Sequence, residues 1–331
     1  MTSSRLLLIA TIVCTFSLAC NKGEIVTIDQ GVIIAEKAEV RNSTALVSTP
    51  LKELKRGQQV DILEHRSVNQ REFTRVRITG DQPLEGWLET RFVISKRIVD
   101  ECEKLAQESQ EISTQAIGRT KDKLNLRLKP GRDSDVVTVL SANTKVDIVG
   151  RARAERRVQG EAGVKYDNWF KVRIGGESVI KAGWIYADSI ELVPPDAIAP
   201  LPGAGRRFVA WQPFGKVLDT QTNNEESHYI ILDKYAYSKD DEIDFDRIYV
   251  VFWDSETHAY ESIYIESQLR GLYPLKVETK DDGFVFTVPL INRQEETLPA
   301  RYAIKLDAKT DRYRISRIVE PKPASKTITK R

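Results

Sequence analysis

A chain of 331 residues is too long for one typical domain and long enough for two or three. Its 50 Lys and Arg stand against 48 Asp and Glu, and a formal net charge of +2 gives no concentrated basic surface for the phosphates of a nucleic acid. Aromatic and β-branched residues run throughout, which excludes a mainly disordered chain.

Residues 1–20 read as an export signal: Arg5, the apolar run Leu6 to Val13, then small residues up to Ala19-Cys20. The run is short of the ~20 apolar residues that span a bilayer, so cleavage is expected. Phe16-Ser17-Leu18-Ala19-Cys20, followed by Asn21-Lys22-Gly23, resembles the lipobox of bacterial lipoproteins. That resemblance implies acylation of the Cys20 thiol, cutting on its N-terminal side and a membrane contact through the lipid. Asn21 in place of Asp implies the periplasmic side of the outer membrane. Ordinary secretory cleavage nearby is the alternative. With Cys14 inside the signal and Cys20 acylated, Cys102 is the single thiol of the folded body and no intramolecular disulfide can form.

Residues 31–94 form a first module of short, near-alternating runs: Gly31 to Ala35, Ala38 to Arg41, Gln58 to His65, Phe73 to Ile78 and Gly86 to Glu89. Val40, Val60, Ile62, Val76 and Trp87 are its core candidates. Over 95–117 the period changes. Ile98, Cys102, Leu105, Ser109, Ile112 and Ala116 recur at spacings of four and three, which predicts a helix closed by Gly118 and packed by this stripe against the β modules, with Cys102 buried on it.

Residues 118–193 repeat the first module. Arg127 answers Arg41, Val146-Asp147-Ile148 answers Val60-Asp61-Ile62, Lys171-Val172-Arg173-Ile174 answers Arg75-Val76-Arg77-Ile78, and Gly183-Trp184 answers Gly86-Trp87. Strands are predicted at Leu124 to Leu128, Val136 to Leu140, Thr144 to Arg151, Trp169 to Ile174 and Ala182 to Tyr186, with a long charged hairpin loop over Ala152 to Asp167. Pro194-Pro195, Pro200, Pro202, Gly203 and Gly205 make 194–205 a linker.

Residues 206–319 form a third domain of another kind. Strands are predicted at Phe208 to Trp211, Tyr229 to Leu232, Ile248 to Trp253, Tyr260 to Ile265, Phe284 to Val288 and Ala300 to Leu306, with Trp253 to His258 as a hairpin connection. An antiparallel sheet or sandwich follows, and 320–331 read as a disordered tail. The fold class is mainly β.

Catalytic patterns are scarce. His65, His228 and His258 have no partner at zinc spacing, and no nucleophile elbow, P-loop or dinucleotide fingerprint occurs. Neither a metal, a cofactor nor an enzymatic activity is therefore expected. The acidic run Lys239 to Asp246 lacks the glycine and remote Glu of a calcium loop and reads as a solvated loop. Glu266 to Pro274, with Arg270 near Tyr273, is the most site-like segment of the third domain, although an ordinary connection explains it equally.

Leu124-Asn125-Leu126-Arg127 with Pro130-Gly131, Val146-Asp147-Ile148-Val149, Trp169-Phe170-Lys171-Val172-Arg173 and Gly183-Trp184-Ile185 resemble the bacterial SH3-like domain. The first copy keeps Val40-Arg41, Arg56-Gly57 with Val60-Asp61-Ile62-Leu63, Arg75-Val76-Arg77 and Gly86-Trp87, with Phe73 near the place of the tryptophan. The resemblance implies two small β-barrels joined by a helix, and a non-enzymatic envelope protein that binds peptide or peptidoglycan while the third domain contacts another protein. It would place Trp169, Trp184, Tyr186 and Arg127 of the second copy, and Phe73, Trp87 and Arg41 of the first, on or near one binding face, with the Gly-Trp tryptophans partly in the core. The second copy, with Trp169 beside Tyr166 and Phe170, is expected to carry most of the affinity. Two alternatives stay open: a cell-wall hydrolase whose active site lies in the third domain, and a purely structural spacer.

Overall fold

The computed structural model describes residues 26–319 apart from 46, 81, 157–163, 239 and 308–311. The export signal with Cys20 and the tail over 320–331 lie outside the described residues.

The first seven strands are β1 (Asp29–Ile33), β2 (Lys37–Arg41), β3 (Pro50–Lys55), β4 (Gln59–Val68), β5 (Arg71–Ile78), β6 (Leu84–Glu89) and β7 (Val93–Ser95). They form one sheet in the order β3-β2-β6-β5-β4-β1-β7. Alternation directs its side chains: in β2 Ala38 and Val40 point inward, and in β5 Thr74, Val76 and Ile78 do. Ala38, Val40, Val76 and Ile78, together with Ile33, Leu54, Val60, Ile62, Leu88 and Val93, make one small core. Strand β3 escapes the sequence reading because only Leu54 of its six residues is buried, leaving no alternation to detect.

The second sheet comprises β8 (Ala116–Thr120), β9 (Leu124–Arg127), β10 (Val136–Leu140), β11 (Lys145–Arg156), β12 (Lys165–Arg173), β13 (Ala182–Tyr186) and β14 (Ile190–Leu192). Its order, β10-β9-β13-β12-β11-β8-β14, is the order of the first sheet strand for strand. Even the pairing that joins the second and sixth strands is conserved between the copies: Arg41 faces Trp87, and Arg127 faces Trp184. The glycine of each Gly-Trp pair is required there. A Cβ on Gly86 would lie 2.7 Å from the Arg41 carbonyl oxygen, and one on Gly183 would lie 2.8 Å from Leu126 and 3.0 Å from the Arg127 carbonyl oxygen. Both ends of the charged segment predicted as a loop over Ala152 to Asp167 are ladder instead, paired from Ala152 with Trp169 out to Arg156 with Lys165.

Helix α1 (Lys96–Glu108) joins the sheets and ends earlier than its apolar stripe predicts. The Ser109 hydroxyl donates back to the carbonyls of Leu105 (2.8 Å) and Ala106 (3.2 Å), while Arg173 Nη1 donates to the carbonyls of Ser109 and Ile112, both at 3.1 Å. These bonds satisfy carbonyls at and beyond the helix end. Gln115 N–H already donates to the Ile148 carbonyl at 2.8 Å, so Ala116 and Gly118, predicted as helix and helix stop, belong to β8. Cys102 is fully buried, and that burial, helped by Glu101, pushes its thiol up to about 11.

The third sheet holds β15 (Arg206–Leu218), β16 (Glu225–Tyr235), β17 (Phe245–Asp254), β18 (Ala259–Gly271), β20 (Gly283–Ile291), β21 (Thr297–Asp307) and β22 (Arg312–Ile318) in that order, with β19 (Lys276–Lys280) also pairing β20. Its central strands are apolar on both faces. Ile230, Leu232, Ile248 and Val250 join a core with Phe286, Val288, Tyr302 and Ile304. Their chain neighbours Ile231 and Val251, with Trp211, join the core of the second barrel and α1. This double coverage is why Tyr229 to Leu232 and Ile248 to Trp253 read as unbroken apolar runs.

Gln115 fastens this contact. Its side-chain amide donates to the Leu275 carbonyl at 2.9 Å and accepts the Leu275 N–H at 2.7 Å, while its own carbonyl accepts the Trp211 N–H at 2.9 Å. The segment 194–205, predicted as a free linker, is packed as well. Ile198 is fully buried, its neighbours close turns on Pro195, and Arg247 Nη2 donates to the Pro202 carbonyl at 2.9 Å.

Candidate functional site

On the first barrel, β2, β5 and β6 and the loop after β2 surround a cleft of about 810 Å³. Arg41, Phe73 and Trp87, the three residues expected for this copy, all line it, together with Glu39, Arg71 and Glu89. Phe73 is half-buried and faces Glu89 across the β5–β6 ladder. Trp87 is 8% exposed, with the Arg66 guanidinium 4.6 Å from its ring centroid, so its indole forms wall rather than rim. Arg41 Nη2 pairs with Glu39 Oε2 at 2.6 Å while both side chains stay in solvent. The result is an aromatic floor edged by charges of both signs.

The same register on the second barrel gives a different surface. Trp169 takes the ladder place of Phe73, and Tyr186 that of Glu89. Trp169 is only 2% exposed, meets Tyr186 edge-on at 5.9 Å, and has an indole N–H buried without a partner among the described residues. Arg132, from the turn after Pro130-Gly131, lies over the Tyr186 ring at 5.1 Å. Its Nε sits 2.6 Å from Asp167 Oδ2, and Asp167 is buried. Arg127 Nη1 donates to the Ser134 carbonyl, and Trp184 is half-buried opposite Arg127. Of the four residues expected for this copy, Trp169 is thus buried and Tyr186 lies under Arg132, whereas the first copy presents a cleft.

Arg71, Glu89, Arg132 and Asp167 were not singled out by the sequence. The repeat itself held a signal for one of them, since aligning the two Gly-Trp pairs sets Glu89 against Tyr186.

Elsewhere, the acidic run is not a solvated loop at its C-terminal end. Ile243 and Phe245 are buried, Asp244 pairs with Arg151 at 2.7 Å, and Asp246 pairs with Arg206. His258 Nδ1 lies 2.8 Å from Asp219 Oδ2, which also accepts the Trp253 indole N–H at 3.0 Å. Glu266 accepts the hydroxyls of Tyr264 (2.7 Å) and Tyr302 (2.8 Å) and belongs to β18. Among the described residues no group of three or more His, Cys, Asp or Glu is placed to hold a metal ion.

Set against known proteins, the second sheet matches a family model. Residues 122–191 match the family model of the bacterial SH3 domain. The bacterial SH3 domain thus spans β9 to β13 and enters β14, and the first sheet repeats the strand order of the sheet that carries it. The chain is similar to two solved structures, NlpC2 and NlpC1 from Trichomonas vaginalis. Identity is 13% over 87% of this chain and 96% of NlpC2, and 12% over 87% of this chain and 91% of NlpC1, with a TM-score of 0.17 for each. No curated protein matches.

Proposed function

We propose that this chain is a non-enzymatic envelope protein whose paired barrels, both SH3-like, bind peptidoglycan or an envelope peptide, with the cleft of the first barrel as the main contact. The observation that carries this reading is the open cleft lined by Arg41, Phe73 and Trp87 on a barrel with the strand order of the bacterial SH3 domain next to it. Phe73 offers a flat apolar surface, Arg41 and Arg71 pair with carboxylates of a wall peptide, and Glu39 and Glu89 with its amines. Hydrolysis by Cys102 does not fit, because a fully buried thiol, pushed up by that burial to about 11, offers neither thiolate nor access.

The double variant Phe73→Ala with Arg41→Gln should weaken retention on purified peptidoglycan at least tenfold in a sedimentation assay, the effect of losing an anchor worth about 2 kcal/mol. Arg132→Gln on the second barrel should not weaken it. Undiminished retention of the double variant, or no retention of the wild type, would leave the barrels as spacers. Release of soluble fragments from the wall by the purified protein would favour a hydrolase.

Anchoring is the second part of the proposal: Cys20 carries a lipid that holds the protein at the outer membrane on its periplasmic side, and the third domain meets another envelope protein. Cys20→Ser should move the protein from the membrane fraction to the soluble fraction or leave it unprocessed. Mass spectrometry that finds an unmodified mature N-terminus would refute acylation.

A further inference from the structure

Between the second barrel and the third sheet lies a cavity of about 640 Å³, within the size range of small-ligand sites. One part of its lining is apolar, with Phe170, Ile190, Leu192 and Phe208. The rest is charged. Arg151, reaching from β11, sets Nη1 2.7 Å from Asp244 Oδ1 and donates through Nη2 to Asn168 Oδ1 at 2.8 Å. The two ion-paired side chains are only 12% and 13% exposed.

Their hydrogen bonding is uneven. Asp244 uses both oxygens, the second accepting the Tyr273 N–H at 2.7 Å. Burial nevertheless pushes its carboxyl up, outweighing the pull of Arg151. The Arg151 guanidinium keeps an Nε that is closed to solvent and has no partner among the described residues. Shielded in this way, that Nε is out of reach of a molecule in the cavity, and Arg151 meets a ligand through its terminal nitrogens. Two further cations face the cavity: Arg207, which is exposed, and Lys121, whose ammonium donates to the Asp188 backbone carbonyl at 2.9 Å. The other carboxylate of the lining, Asp188, already accepts the Tyr186 hydroxyl at 2.8 Å. Lys121, Arg151 and Arg207 against Asp188 and Asp244 leave one positive charge in excess.

We propose that this cavity binds a small carboxylate that bears an apolar group, of the size of a short peptide with a free carboxy-terminus. Arg151 and Arg207 hold the carboxylate, and Phe170 and Phe208 cover the apolar part. A single negative charge fits the single positive excess, whereas Asp188 and Asp244 in the same lining repel a dianion. Because Phe170 belongs to β12 and Phe208 to β15, the bound molecule also pins the second barrel to the third sheet.

The test is isothermal titration calorimetry of the full chain with N-acetyl-leucyl-alanine and with its carboxamide. The free acid should bind at least tenfold more tightly than the amide. Arg207→Gln, an exposed change that leaves the fold intact by circular dichroism, should remove at least tenfold of the acid's affinity. Phe73→Ala should leave that affinity unchanged, so that failure of the first-barrel cleft and failure of this site are told apart. Equal binding of acid and amide, binding of neither, an Arg207→Gln variant as tight as wild type, or inorganic phosphate competing as well as the acid would each overturn the proposal.

Discussion

Trp169→Ala should destabilise the protein by about 3–5 kcal/mol, the cost of emptying a large aromatic site in a packed core. Trp169 is 2% exposed and packs edge-on against Tyr186, so its removal leaves a void in a packed site. Trp169→Phe should cost less than half as much. It restores the aromatic that the first copy carries at the same ladder place, and it removes an indole N–H that has no partner among the described residues. Urea denaturation followed by circular dichroism reads both variants. If Trp169→Ala keeps the wild-type midpoint and loses retention on peptidoglycan, Trp169 is an exposed contact and the first barrel is not the main binding copy.

The repeat was legible because the repeated residues join strands and fill the core in each of the two small sheets. Gly86-Trp87 and Gly183-Trp184 stand where two strands approach too closely for a Cβ, and Val60, Ile62, Val146 and Ile148 fill the two cores. What the sequence hid follows from the same physics. Strands β3 and β19 carry almost no buried side chain, so period-two alternation is lost in them. At Ala116 a helical spacing of four coincides with the inward position of a strand, and only the bond from Gln115 to Ile148 decides between them. Proline and glycine marked 194–205 as a connector, yet its packing depends on Arg247, which lies far along the chain.

The binding face was the least legible part. Residue type alone picks out aromatics and arginines, but whether each lines a cleft or a core is settled by its neighbours. Trp169 is buried against Tyr186, over whose ring Arg132 of the adjoining turn lies, whereas Phe73, with Glu89 opposite it in place of Tyr186, lines a cleft.

Asp233→Ala should cost about 3–5 kcal/mol, as expected when one partner leaves a buried ion network. Its fully buried carboxylate accepts Arg206 Nε at 2.6 Å and Arg247 Nε at 3.0 Å, and these guanidinium groups are themselves only 12% and 16% exposed. Without Asp233, Arg206 keeps Asp246, whereas Arg247 loses its carboxylate partner. The loss should reach beyond stability. Arg247 also holds the Pro202 carbonyl, and the connector it fixes supplies Pro194 and Ala199 to the wall of the carboxylate cavity. Chemical denaturation should therefore show a lower midpoint, limited proteolysis should open 194–205 first, and N-acetyl-leucyl-alanine should bind more weakly even at temperatures where the variant is folded. A variant within about 1 kcal/mol of wild type would place this network among the ion pairs whose desolvation cancels their attraction. A connector as resistant as wild type would show that Ile198 and its turns hold it without Arg247.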